Sequence, residues 1–340
     1  MNAIAIYWGD QVIYWSSVII TLGILCCLTM TLALYRPRSD SGAGVWAMFP
    51  LAFLFSVVFS RLLHWYFNSE SYGSFARAFT DFSVGSFCIP GVILGVWLAA
   101  WLVRLMRLTP STGLLLDCTA PGMCLMIALI RLSSLFNDSC RSRIIIDIKF
   151  LQHFPLAVSS TDAAGNETWR MATFFIAFVL MIIVMLMVLD FYVERGNSRM
   201  VPSCPRTGHV WRMFLVYYAA VEAVMDSTRY DSPLMHFHFI SYLNQYSAFI
   251  SLAQVFAGFC VLGVLIYYTV KCVKGKGFKW YIIPLWLMFL ASLVGIGYLG
   301  EYQVQRTAEY LKCYAFMTAS CVLMVFSCFF MYRACVRKRG

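Results

Sequence analysis

Apolar residues run along this chain in unbroken stretches of spanning length, not in alternation with polar ones. The stretches fall at 12–35, 46–67, 86–107, 113–136, 171–193, 210–228, 247–270, 280–300 and 312–332. A run of ~20 apolar residues crosses the hydrocarbon of a bilayer as one helix. Backbone groups in lipid must be satisfied internally, which leaves helices or a closed barrel, and a barrel strand would alternate. The pattern predicts an all-α fold: a polytopic helical membrane protein with about nine transmembrane helices.

Composition agrees. Of 340 residues, 61% are hydrophobic and only 12% are charged, which excludes an ordinary soluble domain. The formal net charge is +10. Most of the lysines and arginines occupy alternate loops: Arg36 and Arg38; Arg104 and Arg107; Arg195 to Arg212; Lys271 to Lys279; and Arg333 to Arg339. The positive-inside rule then puts the N-terminus outside and the C-terminus in the cytoplasm. This topology accounts for the net charge, and no nucleic-acid partner is implied. Asp10 precedes the first span and no basic lead-in exists, so no cleavable signal peptide is expected. The 13 cysteines lie mostly inside the spans without metal-binding spacing and read as small apolar fillers.

Most connections are short. A longer stretch, 137–170, holds Arg141-Ser142-Arg143, an Ile-rich piece and a polar tract. It reads either as part of an external cap or as a variable surface loop. His236 and His238 lie in a second external loop, and two histidines do not make a metal site. No metal or cofactor is expected. No internal repeat is visible, which speaks against an inverted-repeat transporter.

Charges inside the spans carry the chemistry, because a charge in hydrocarbon is costly and faces a bundle interior. Asp117 and Arg131 share the fourth span, with Pro121 between them and Asn137 just beyond. Arg131 either snorkels to the interface or presents its planar fork to a phosphate or carboxylate. On the sixth span, Tyr218, Glu222, Asp226 and Arg229 are spaced i, i+4, i+8 and i+11, one stripe on one helix face. The stripe should meet Arg61, Arg131 or a water-filled cavity; a closed salt-bridge cluster that only fixes packing is the plainer alternative. Gly91 and Gly95 permit close helix approach.

In this order the features resemble the bacterial prolipoprotein diacylglyceryl transferase family. Trp15 matches a tryptophan near the start of the first span, and Arg61 falls where the family has Gly-Arg-x-Gly-Tyr. The segment from Gly85 to Val96 is similar to a family Gly-Gly-Met-Ser-Phe-His-Gly-Gly-Leu-x-Gly-Val. Asp117-x-x-Ala120-Pro121 matches Asp-x-x-Ala-Pro, and residues 130–139 overlay the signature Gly-Arg-x-Gly-Asn-Phe-x-Asn-x-Glu through Arg131, Phe136 and Asn137. Tyr218, Asp226 and Arg229 match a tyrosine, an acidic residue and an arginine of a later span, and Ser251-x-x-Gln254 matches a Ser-x-x-Gln.

The resemblance covers residues 1–272, with 273–340 as an added two-helix extension. It implies a membrane enzyme of the bacterial plasma membrane. Such an enzyme moves a diacylglyceryl group from phosphatidylglycerol to the lipobox cysteine of a prolipoprotein peptide, without a metal. It assigns Arg131, Asn137 and Arg229 to catalysis and Arg61, Asp117, Tyr218, Glu222 and Asp226 to headgroup binding or support of the site. The chain departs from the pattern at Ser16, Ser134 and Ser139. It also has Pro90 in place of the family histidine and Glu222 in place of an arginine. Two further readings therefore stand beside a divergent transferase: a catalytically impaired paralogue that holds lipid or a client membrane segment, and a transporter.

Overall fold

The computed structural model describes residues 4–8, 11–39, 41–67, 74–80, 88–136, 142–161, 167–197, 207–229, 251–304 and 309–336. A short hairpin, β1 (Ile4–Trp8) and β2 (Gln11–Tyr14), leads into α1 (Trp15–Tyr35). Then follow α2 (Ala43–Phe67), the short α3 (Phe75–Thr80), α4 (Ile89–Leu105) and α5 (Thr112–Ser133). A second antiparallel hairpin, β3 (Ala157–Thr161) and β4 (Glu167–Met171), precedes α6 (Thr173–Asn197). The chain continues through α7 (His209–Ser227), α8 (Leu252–Lys276) and α9 (Ile282–Val294). A π-helical stretch, Gly295–Tyr302, then leads to α10 (Tyr310–Val336).

Each of the nine apolar stretches of the sequence coincides with a helix. Among the described residues, six helices are long and apolar enough to cross a membrane: α1, α2, α5, α6, α8 and α10. Helix α4 has 17 residues and α9 has 13, so each is short for a full crossing. Helix α7 has 19 residues but gives up apolar positions to its charged stripe. The polytopic helical architecture holds. The two hairpins add β structure that the sequence pattern did not predict.

Small residues set the packing. Gly91 and Gly95 of α4 lie directly on the α2 backbone at Ser60 and Ser56, where any Cβ would collide. The two serines close the contact, Ser60 Oγ donating to the Cys88 carbonyl at 2.9 Å and Ser56 Oγ to that of Val92 at 3.3 Å. Helix α1 packs on α5, where Gly122 meets Cys27 and Gly23 meets Met126. Close approach of this kind replaces the hydrophobic effect, which does not operate between helices in lipid.

Helix α7 is the hub, in contact with α5, α6, α8 and α10. Its first turn is fixed from a distance in sequence: Asp117 of α5 accepts the backbone N–H of Gly208 at 2.6 Å and of Trp211 at 2.9 Å. Gly208 has φ of 87°, which only glycine adopts without strain, and it sits against Gly113 of α5. Helix α8 begins with a capping box in which Ser251 and Gln254 bond each other's backbone N–H. Gln254 Nε2 then donates to the Ala223 carbonyl of α7 at 3.1 Å. The added C-terminal helices join the same core. Phe289, Met324, Cys328 and Met331 are buried in it, and Tyr314 donates to the Ser227 carbonyl at 3.2 Å.

Candidate functional site

The site lies where the C-terminal ends of α5 and α7 meet. Arg131 is in the last turn of α5 and Glu222 is one turn from the end of α7; the two form a buried ion pair, with side chains 6% and 5% exposed. One turn further, Asp226 accepts from Arg229 Nη1 at 3.0 Å, the carboxylate buried and the guanidinium partly open. The hydroxyl of Tyr218 is fully buried within electrostatic reach of Glu222, Arg131 and Asp226. The stripe read from the sequence is thus real, and it faces Arg131.

Burial decides how such pairs behave. Two opposite charges out of water roughly offset their desolvation when paired, but one left without its partner is strongly destabilising. Arg131 and Glu222 therefore hold each other in the bundle, and neither is available to a guest unless that guest supplies compensation.

A strap covers this end. The carbonyl of Thr228 accepts the N–H of Arg143 at 2.9 Å, and that of Arg229 accepts Arg143 Nε at 2.7 Å. Ser142 bridges Arg229, while Arg170, itself buried, donates to the Ser142 carbonyl at 3.0 Å. Of the stretch that sequence left as cap or surface loop, Ser142, Arg143 and Arg170 close over this end of α7 as a cap. Beneath it is a void of ≈ 10 Å³ lined by Arg131, Thr173, Phe174, Ala177, Met225 and Arg229. That is room for about one water molecule and not for a lipid headgroup. The Thr173 hydroxyl is buried there with no hydrogen-bond partner among the described residues.

The other sequence candidates divide. Arg61 is buried on α2, within electrostatic reach of His64, on the helix that packs against α4. Asp117 sits 14 residues before Arg131, roughly 20 Å along the axis of α5, and caps α7 at the opposite end of the bundle. Asn137 lies outside the described residues, as do His236 and His238. Trp15, at the head of α1, approaches Phe136 with ring centroids 6.1 Å apart, so two motif residues separated by α1 to α5 meet just past the end of α5. Among the described residues, no group of three or more His, Cys, Asp or Glu is placed to hold a metal.

Sequence reading missed Thr173 and the roles of Arg143 and Arg170. Nothing marks a threonine at a span's start as functional, but the Arg141-x-Arg143 pair beside intramembrane charges was a usable signal. It also missed a cluster at the other end. There His209 Nδ1 lies 3.0 Å from the Tyr268 hydroxyl, the two rings stack, and Tyr332 meets both edge-on.

The family model for prolipoprotein diacylglyceryl transferase matches residues 3–270. A phosphatidylglycerol–prolipoprotein diacylglyceryl transferase of Clostridium novyi (strain NT) is 19% identical over 237 residues, covering 69% of this chain and 87% of that protein. The match ends in the C-terminal part of α8, so α9 and α10 fall beyond it.

Proposed function

This chain belongs to the prolipoprotein diacylglyceryl transferase family and is a multi-pass protein of the bacterial plasma membrane, and from that premise we propose that it is a divergent lipid-to-thiol transferase. Residues 1–272 form the family domain and 273–340 an extension that braces it. The N-terminus lies outside and the C-terminus in the cytoplasm, which puts Arg131 at outer-leaflet depth.

In the proposed reaction a prolipoprotein cysteine attacks the glyceryl carbon esterified to phosphate. The C–S bond forms, the C–O bond to phosphate breaks, and the thiol proton is lost to a base. The phosphate departs with the electron pair. Charge grows on the departing phosphate, so a fixed guanidinium beside it lowers the barrier. Arg131 serves that role once the lipid parts it from Glu222, Arg229 assists, and Asn137 lies six residues beyond Arg131 in the same motif. Tyr218 and Asp226 position the two arginines. Arg61 contributes a further cation on α2, while Asp117 supports the site by anchoring α7.

The observation that carries this reading is the buried Arg131 at the meeting of α5 and α7, inside the span matched by the family. The test is direct. Purified protein is mixed with phospholipid and a lipobox peptide, and the peptide is weighed by mass spectrometry. A diacylglyceryl thioether is expected; no adduct with any phospholipid overturns the reading.

A second reading has its own support. Glu222 already occupies the fork of Arg131, and the resemblance puts Pro90, which exchanges no proton, where the family has a histidine. On this reading the chain holds a phospholipid or client helix without turnover, and lipid binding persists where no adduct forms.

A further inference from the structure

Helix α10 carries a groove of ≈ 820 Å³ that runs from Leu311 to Phe326 and is lined, among the described residues, by this one helix. Leu311, Ala315, Ala319, Val322 and Phe326 recur at i, i+4, i+8, i+11 and i+15, so they share one face. Large side chains stand at both ends and small ones between, which makes the face concave. The Thr318 hydroxyl on this face donates to the Tyr314 carbonyl at 2.7 Å, so the groove asks for no polar partner. Another face of α10 is committed: Met317 and Cys321 pack on Ala223 and Val224 of α7. Tyr314, at the head of the groove, donates to the Ser227 carbonyl at 3.2 Å. Ser227 directly follows Asp226, the carboxylate that holds Arg229. The groove therefore starts beside the candidate site and runs away from it for ~22 Å of helix.

We infer that this groove docks the acceptor, by the apolar membrane segment that precedes its cysteine. The apolar core of a secretory signal has up to about 15 residues, and as a helix it measures the same ~22 Å as the groove. Laid along α10 it brings the residues that follow it to Tyr314 and the end of α7. Helices in lipid associate by close packing, and Ala315 and Ala319 let a second backbone approach. Continuity with the site is what favours this occupant. A second copy of the chain would set α10 against α10 and leave the site end of the groove unused. The groove lies beyond residues 3–270, so it gives the C-terminal extension a task that the matched family domain does not perform. The inference rests on the transferase reading, for which it names the place where the acceptor docks.

The full chain in nanodiscs containing phosphatidylglycerol is offered a peptide with an apolar stretch of about 15 residues ahead of a lipobox cysteine. The photo-crosslinker benzoylphenylalanine in place of Val322 should capture the peptide. In place of Leu287, an exposed residue of α9 outside the groove, it should not. Ala315→Trp with Ala319→Trp fills the groove and should weaken peptide binding at least about tenfold. Ala291→Trp, at an exposed position of α9, should leave it unchanged. No capture at position 322, or capture of a second copy in place of the peptide, overturns the inference whether or not the tryptophan variant folds. Binding and lipidation that continue undiminished in the filled groove overturn it too, and leave the transferase reading standing. A peptide captured in the groove but never lipidated upholds the docking and overturns the transferase reading alone.

Discussion

Arg131 and Glu222 stabilise the bundle only as a couple. Removing one member, as in Arg131→Met, leaves a buried carboxylate and should cost about 3–5 kcal/mol, whereas the double change Arg131→Met with Glu222→Leu should recover most of that. Unfolding in detergent, run as a double-mutant cycle, measures the coupling. A small effect of Arg131→Met would mean that Glu222 does not depend on its partner. Asp117 gives the opposite kind of prediction. It bonds two N–H groups at the start of α7, so Asp117→Ala should lower stability by about 2 kcal/mol. Thermal unfolding in detergent checks the value, and no change in melting temperature would show that the two bonds do not anchor α7.

Helices in this protein meet through backbone approach, and glycines report where. Gly95→Ala should push α4 off α2, because the new Cβ meets the Ser56 backbone; overpacking of this kind costs about 1–3 kcal/mol. Gly258 and Gly263, inside α8, have nothing within 4 Å of an added Cβ. Alanine there should be neutral or should stabilise by up to about 1 kcal/mol through helix propensity. Melting temperatures of the three variants test the contrast. The same elements show what sequence can reveal. Long apolar runs located every helix but the short α3, because hydropathy and length are local properties. The stripe from Tyr218 to Arg229 was legible from its spacing, and its pairing with Arg131 was one of the options the spacing left open. The capping of α7 by Asp117 was not legible. Its partners lie 91 and 94 residues away, and a carboxylate in a span reads the same whether it serves a ligand or a helix end. Helix α7 was located by its apolar stretch at 210–228 although its charges interrupt it: they find partners in neighbours, so it need not be apolar throughout.

The whole molecule has two ends of opposite character, and they predict its orientation. The end carrying the 142–171 cap holds the Arg131 site, while the end carrying 277–281 is flanked by Lys271, Lys274, Lys276 and Lys279. Arg212 lies over the Tyr267 ring at 3.7 Å, and Lys276 donates to the Ala334 carbonyl at 2.6 Å, so cations of α7 and α8 are fixed at that lysine-rich end. Positive residues resist translocation, so the prediction is this end in the cytoplasm and the cap outside. Phe150 in the cap and Trp280 before α9 are 85% and 83% exposed, so cysteine at either position is accessible without disturbing the core. In intact cells a membrane-impermeant maleimide should label Phe150→Cys at once and Trp280→Cys only after permeabilisation, with the unsubstituted chain giving the background from native thiols. The outcome bears on mechanism as well as topology. A substrate thiol arriving from a translocated precursor meets Arg131 only if the cap is outside. Labelling in the reverse order would put the arginine at inner-leaflet depth and remove that substrate from its reach.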